Sequence, residues 1–354
     1  MISPALFRLV QCPDCGSSVS PAGVSPTGNA AACAGCGRVF ATDAGYLDLR
    51  PKQAYAEQTK YLDEALHADA RHESVAPPLL GSKIRNDMLR RFLRPGPSDR
   101  VLDLGCGSGR TLAWNASCGA ELTGIDIAPY FAREAVAACD LLLGDLRRLP
   151  IRNGAFGKAW SLDVLEHLSR PALIEMLKEA NRVLADDGAL FVYTHVRKNG
   201  WPAAGVRMVN RLAMTLERAG LLDLRQERLR KSDHLNPLTD HDDLAAVARE
   251  CGFTIERITY YTPVIGAFVE NILARMAEKA LSRRVAGSGA ETPEGQAAAV
   301  REARAAAQAR VRRGGFTYAS LMALSTFMKL DVILFGRFRS GPFFALLRKS
   351  RMGA

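Results

Sequence analysis

The chain has 354 residues, of which 48% are hydrophobic and 24% are charged. This balance excludes a disordered chain and allows a full core, so we expect one large domain with an appendage. The start does not resemble a signal peptide, and no eighteen apolar residues run without a charge. We therefore expect a cytoplasmic protein without a membrane-spanning helix.

The positive charge is concentrated near the end of the sequence. The net charge is +10, and residues 283–354 contain thirteen Lys/Arg against four Asp/Glu, a net of +9. Such a region can face RNA, an anionic membrane surface or an anionic substrate, or it can be a solvated helical surface. The sequence leaves these four alternatives open.

Two cysteine pairs lie within the first fifty residues. Cys12 with Cys15, and Cys33 with Cys36, form CxxC motifs separated by seventeen residues. Two such motifs complete a tetrahedral four-thiolate site without an open position. We therefore predict a structural Zn²⁺ ribbon over residues 1–50 that depends on the metal for its folding. The lack of an export signal favours metal binding over disulfides.

The next two regions have different hydrophobic patterns. Residues 51–98 are predicted to be a helical linker, because Ile84, Met88, Leu89 and Phe92 recur at helical spacing. Residues 99–262 alternate apolar runs with amphipathic stretches, which is typical of a parallel sheet covered by helices. Strands are predicted at Arg100–Leu104, Glu121–Asp126, Asp140–Leu143, Lys158–Leu162, Ala189–Thr194 and Thr254–Tyr260.

A glycine-rich turn follows the first of these strands. Gly105, Gly107 and Gly109 form GxGxG, and Asp103 stands two residues before the first glycine. Nicotinamide- and flavin-binding folds use the different spacing GxGxxG. Glycines at these positions let the backbone lie directly against a ligand.

Acidic residues end the second predicted strand and follow the third. Asp126 is placed to accept both ribose hydroxyls, and Asp145 to accept the adenine amino group. With the glycine turn, these residues resemble the class I S-adenosylmethionine (SAM)-dependent methyltransferase family over about residues 84–262. The resemblance implies a Rossmann-like α/β fold with a seven-stranded sheet and SAM as cofactor. The residues that it places at SAM are Asp103, Gly105, Cys106, Gly107, Gly109, Asp126, Ile127, Asp145, Leu146 and Leu162.

Two further segments bear on the substrate. The segment 163–167, which reads DVLEH, resembles family members that act on small molecules, quinone precursors and lipids. The segment 45–49 is similar to the end of the ribbon in a bacterial rRNA guanine methyltransferase family. That family's ribbon ordinarily has a histidine among its ligands, whereas this sequence offers four cysteines.

Histidines are the candidate catalytic residues. His167 is either a base or a residue that packs near SAM, and His195 ends the fifth predicted strand, at the edge that faces substrate in this fold. His234 lies where related enzymes fold a histidine over the active site. His241 is interpreted as the start of a helix.

The last part of the chain departs from a minimal fold of this kind. Residues 263–341 are predicted to form a helical lid or insertion, with a mobile loop at 287–295 and helices at 296–313 and 316–335. Residues 342–354 hold a predicted edge strand and a tail. Apolar helices beside basic clusters suit a lipid-like, anionic substrate or a membrane surface, although they also suit a self-packed lid or a dimer interface.

The sequence thus predicts a SAM-dependent methyltransferase acting on an O, N or C atom of a small-molecule or lipid-like acceptor. It is expected to be cytoplasmic, either free or peripheral to the inner face of the membrane. One alternative is an rRNA or tRNA base methyltransferase that grips RNA with its ribbon and basic C-terminal region. Another is a non-catalytic scaffold with a SAM fold. The sequence does not predict the oligomeric state.

Overall fold

The N-terminal region is organised by a small sheet. The structure is a computed structural model, and it describes residues 2–25, 28–42, 44–52, 75–225, 228, 234–277, 279–280 and 315–350. After a one-turn helix, α1 (Leu6–Leu9), three antiparallel strands follow: β1 (Val19–Ser25), β2 (Gly28–Cys33) and β3 (Val39–Ala41). We call residues 2–52, where described, the cysteine module.

A mixed eight-stranded sheet forms the rest of the scaffold. Its order across the sheet is β10-β11-β9-β8-β5-β6-β7-β4. The strands from β9 to β4 are parallel, and β11 is antiparallel to both of its neighbours. In chain order they are β4 (Leu47–Asp48), β5 (Arg100–Leu104), β6 (Glu121–Asp126), β7 (Asp140–Leu143), β8 (Phe156–Leu162), β9 (Leu184–His195), β10 (Phe253–Tyr260) and β11 (Pro342–Lys349).

Strand β4 attaches the cysteine module to the edge of the large sheet. Leu47 pairs with Leu142 in β7, and the Leu49 amide donates to the Leu143 carbonyl at 2.9 Å. The Asp140 carboxylate accepts hydrogen bonds from the Ser3 hydroxyl at 2.6 Å and from its amide at 2.9 Å. The predicted seven-stranded sheet is therefore present, and β4 extends it by one strand.

Helices cover both faces of this sheet. They are α2 (Leu80–Leu93), α3 (Arg110–Asn115), α4 (Arg133–Ala138), α5 (Arg170–Val183), α6 (Ala203–Arg218), α7 (His241–Glu250), α8 (Val264–Phe268), α9 (Phe316–Met328) and α10 (Leu330–Phe335). Adjacent residues of β5 enter different cores: Leu102 packs with α5, and Val101 with α2. Burial on both faces explains the continuous apolar runs in β7 and in residues 189–193 of β9.

The six predicted strands of the core are confirmed, with β8, β9 and β10 beginning somewhat earlier than predicted. The prediction that the last strand lies at an edge was wrong, because β11 lies between β9 and β10. Phe343 to Leu347 are all buried, which indicates that both faces of β11 are covered, whereas β10 is partly exposed and takes the edge. The domain boundaries given above stay predictions.

The C-terminal helices lie between β10 and β11, as expected for an insertion. Over the described residues, one helical stretch, Phe316–Phe335, is long and apolar enough by length and composition to cross a membrane, with a mean hydropathy of 1.4. The expectation of no such helix is therefore not confirmed. The predicted linker residues 53–74, the loop 287–295 and the helix 296–313 lie outside the described residues.

Candidate active site and cysteine centre

The carboxyl ends of the parallel strands gather the candidate residues at one edge of the sheet. Strand β5 has β6 on one side and β8 on the other, so the strand order reverses there. Open α/β sheets bind ligands outside the carboxyl ends of the strands at such a reversal. The turn at residues 105–109 follows β5 directly and therefore lies at that position.

All three glycines of the turn have a backbone conformation that favours glycine, and Gly105 and Gly107 differ in their surroundings. Gly105, Gly107 and Gly109 all have positive φ, of 77°, 54° and 76°. A Cβ on Gly105 would lie 2.5 Å from a methyl group of Val164, whereas a Cβ on Gly107 would meet nothing within 4 Å. Gly107 thus faces open space, where a ligand can lie against the backbone.

Asp126 is held across from this turn. One oxygen of its carboxylate accepts the Gly107 amide at 2.8 Å, and the other accepts the Ala128 amide at 3.0 Å. A carboxylate accepts several hydrogen bonds at once, so this group is chemically suited to two vicinal ribose hydroxyls. The turn and Asp126 together are compatible with SAM, which supplies an activated methyl group when bound.

The other residues predicted to contact the cofactor differ in how deeply they are buried. Asp103 is 2% exposed, and burial raises its pKa to about 8. Asp145 follows β7 and forms a bidentate ion pair with Arg147, at 2.9 Å to Nη2. Direct contact of these two residues with SAM stays a prediction. Asp145 is half-buried, as are Cys106, Ile127, Leu146 and Leu162.

The four cysteines of the two CxxC motifs form one cluster. The sulfurs of Cys12 and Cys36 lie 3.7 Å apart, and those of Cys15 and Cys33 lie 3.4 Å apart. All four lie within 4.8 Å of one another. The amides of Gly35 and Cys36 point at the Cys33 sulfur, at 3.3 and 3.4 Å. Four thiolates with amide donors suit a closed, structural zinc site.

The three candidate catalytic histidines meet in space, and we call them the histidine cluster. The ring centroids of His167 and His234 are 4.8 Å apart, and those of His195 and His234 are 5.3 Å apart. They come from the turn after β8, the end of β9 and the segment before α7. His241 does not join them: its Nε2 lies 2.8 Å from the Ser340 carbonyl oxygen, and the ring packs between Tyr260 and Phe343.

A buried glutamate underlies the histidine cluster. Glu166 is 3% exposed, and one of its carboxylate oxygens accepts the Thr194 hydroxyl at 2.8 Å. Its backbone carbonyl accepts the amides of Leu235 and Asn236, at 2.8 and 3.0 Å. Burial is the main cause that raises the pKa of Glu166 to about 7, and the nearby Asp163 carboxylate adds to it.

One basic residue at this edge was not predicted from the sequence. Arg85 of α2 lies 3.4 Å from Asp163, and its guanidinium lies 5.5 Å from the ring centroid of Tyr193. The Asp163 carboxylate helps to raise the pKa of Arg85, against the effect of burial. Asp163 itself has φ of 56°, an uncommon conformation for a residue with a side chain. Only the helical spacing of α2 was visible in the sequence, and it does not indicate this partner.

Comparison with known proteins identifies the domain. Residues 102–192 match a family described as "Methyltransferase domain". Sterol 4-C-methyltransferase strm-1 of Caenorhabditis elegans is 31% identical over 109 residues, which are 28% of this chain and 32% of the relative. "Probable tRNA methyltransferase 9B" of Mus musculus is 29% identical over 136 residues, 37% of this chain and 30% of the relative.

The chain thus spans about a third of the length of these two relatives. A solved structure, phosphoethanolamine N-methyltransferase 2 of Haemonchus contortus with S-adenosyl-L-methionine, matches with a TM-score of 0.49 and 16% identity. That match covers 85% of this chain and 61% of the other. With the family match, the glycine turn and Asp126 all at the carboxyl edge of the sheet, the chain carries a class I SAM-dependent methyltransferase domain.

Proposed function

We propose that this protein transfers the methyl group of SAM to a lipid-like acceptor at an anionic membrane surface. The observation that carries the proposal is a set of exposed apolar side chains, with exposed arginines among them, on the helices that follow β9 and β10. Soluble monomers rarely expose contiguous large apolar patches without a partner. The surface consists of helices α6, α9 and α10 together with Trp201 and Phe338, and we call it the apolar surface.

Helix α6 carries both apolar and cationic side chains of this surface. Met208 is 68% exposed, and Leu212 is exposed one turn further along the helix. Arg207, Arg211 and Arg218 are exposed on the same helix. Apolar side chains flanked by arginines are typical of helices that lie in the interface of an anionic bilayer.

The second part of the surface is held to the domain by a buried carboxylate. Asp331 of α10 accepts the amides of Ile265 and Gly266, at 3.0 and 2.8 Å. On the outer side of the same helix, Ile333 is 72% exposed. This attachment supports a helix that lies on the membrane surface rather than one that crosses it.

Two exposed apolar residues follow histidines of the cluster in sequence. Trp201 follows the strand that ends at His195, is 67% exposed, and lies 5.3 Å from Phe338 between ring centroids. Leu235 is exposed directly after His234. An acceptor with an apolar body bound along these residues therefore has its polar end near the histidine cluster.

The chemistry required of the protein is modest. Methyl transfer is an in-line displacement, so aligning and desolvating the acceptor does most of the work. A base is needed only for a weakly acidic acceptor such as a hydroxyl, and a histidine can serve. The lipid acceptor in the name of the sterol methyltransferase relative supports this class of substrate.

RNA methylation is the second candidate. It is supported by the basic residues after position 282 and by the tRNA methyltransferase named among the relatives. Binding through these charges would weaken steeply with added salt. Most of the charges lie outside the described residues.

The test incubates the full chain with SAM labelled on its methyl group and a host cell extract. Label in the organic fraction supports a lipid acceptor, and nuclease-sensitive label contradicts it. In parallel, Met208→Glu with Leu212→Glu should lower co-sedimentation with anionic vesicles roughly tenfold or more. Val39→Glu, the same change at an exposed apolar residue of the cysteine module, should leave it unchanged.

A further inference from the structure

A second group of ligating side chains lies outside the cysteine centre. Glu166, His167 and His234 each offer one ligand atom, and these three atoms lie within 4.8 Å of one another. Two imidazoles and one carboxylate are a donor set suited to divalent transition-metal ions, with coordination positions left for other ligands. We propose that these three residues bind such an ion beside the cofactor turn.

The carboxylate is held by the surrounding structure. The buried Thr194 hydroxyl donates to one oxygen of Glu166 at 2.8 Å, which restrains the orientation of the carboxylate. Hydrogen bonds of this kind, from groups behind the ligands, orient metal-binding carboxylates and strengthen the site. Thr194 is therefore a positioning residue for the proposed ion.

The two histidines are brought to this carboxylate by the backbone. His167 follows Glu166 in the same turn, and the Glu166 carbonyl accepts the amides of Leu235 and Asn236, just after His234. These two hydrogen bonds hold the distant segment against the turn. Metal–ligand bonds of about 2 Å bring ligand atoms about 3 to 3.5 Å apart. Both histidines are half-buried rather than enclosed, and the proposed site requires their rings to move closer together by rotation of the side chains.

The place of the site in the fold suggests what the ion does. Val164, two residues before Glu166, is the residue that a Cβ on Gly105 would strike, so the site adjoins the cofactor turn. An ion there can bind an acceptor oxygen and lower its pKa, and His195 remains next to His234 as a base. This role rests on the proposed function, whereas binding of the ion does not.

The test is a Mn²⁺ titration of the full chain, with the cysteine centre filled by zinc and without SAM or acceptor. Mn²⁺ prefers oxygen and nitrogen over thiolate ligands, so it reports on this site. Electron paramagnetic resonance of the free ion measures binding. We expect one Mn²⁺ per chain, and a loss of affinity of tenfold or more in Glu166→Gln and in His234→Ala. Thr194→Val should lose about 10- to 100-fold.

The matched control is Glu250→Gln, the same change at an exposed glutamate, which should bind Mn²⁺ like the wild type. His234→Ala, in a half-buried segment, keeps the test valid if Glu166→Gln does not fold. A wild type that binds no Mn²⁺, or two ligand variants that bind Mn²⁺ as tightly as the wild type, overturns the proposal. A wild type that binds Mn²⁺ but methylates no lipid leaves the metal site standing and removes the proposed function.

Discussion

The two sides of the active edge are assembled in different ways. The cofactor half, at the ends of β5 to β7, comes from one stretch of chain in which each residue lies in or just after the end of its own strand. The Gly107 amide contacts Asp126 directly, so this half holds itself together locally. The acceptor half comprises the histidine cluster with Glu166 and Arg85, which come from four separate parts of the chain.

This difference separates what methyltransferases share from what distinguishes them. The predicted SAM site consists of a turn, an acidic residue and the strands that hold them. These parts lie together in one short segment of the chain. We propose that the acceptor is recognised by side chains from helix α2, which precedes β5, and from the segment before α7, between β9 and β10. The two halves should therefore fail separately when residues are changed.

The largest effect should follow loss of the cysteine centre, which borders the cofactor half through β4. Removing zinc, or changing Cys15 to Ser, should unfold the cysteine module, because structural zinc sites provide about 10 kcal/mol or more of folding energy. Release of Leu47 from β7 should then weaken SAM binding. Zinc content and thermal unfolding measure the loss of the cysteine module, and SAM affinity measures its effect on the cofactor half. Cys118→Ser, outside the cluster, is the control. Unchanged SAM affinity in the zinc-free protein would show that the cofactor half does not depend on the cysteine module.

Asp126→Ala should disable the cofactor half alone. Two charged hydrogen bonds to SAM are lost, each worth about 1.5–3 kcal/mol, so affinity should fall about 100-fold or more. Isothermal titration with SAM measures the loss, and Mn²⁺ binding at Glu166 should persist. Asp186→Ala, at a fully exposed side chain, is the control. SAM binding as tight as in the wild type would mean that the cofactor lies elsewhere.

Two glycine variants should separate folding from cofactor binding within the same turn. Gly105→Ala places a methyl group 2.5 Å from Val164 at positive φ, so it should lower the free energy of unfolding by about 1–3 kcal/mol. Gly107→Ala meets open space, so it should cost less stability while its methyl group obstructs SAM. Denaturant unfolding and SAM titration of both variants give the comparison. Equal SAM affinity in Gly107→Ala and the wild type would contradict a ligand at that position.

The cofactor half was predictable because its signals are local. The GxGxG turn, Asp126 and the strand ends are each visible in a few consecutive residues, and the structure places them together. His167, His195 and His234 were each predicted, but their meeting depends on sheet order and on hydrogen bonds from Leu235 and Asn236 to Glu166. The position of β11 was missed because its pairing partners are distant in sequence, although its continuous apolar pattern indicated burial on both faces.

The smallest expected effect on SAM is that of Arg85→Met, which tests whether the acceptor half is independent. Arg85 lies 3.4 Å from Asp163 and over Tyr193, and methionine keeps much of its length without the charge. The pair is partly exposed, so stability should fall by about 1 kcal/mol or less. Because Asp163 starts the turn that carries Glu166 and His167, kcat should fall while the Kd for SAM stays nearly unchanged. Arg91→Met, at an exposed position of the same helix, controls for loss of charge. If Arg85→Met weakens SAM binding as much as it lowers kcat, then α2 serves both halves, and the division between them lies further along the sheet than β8.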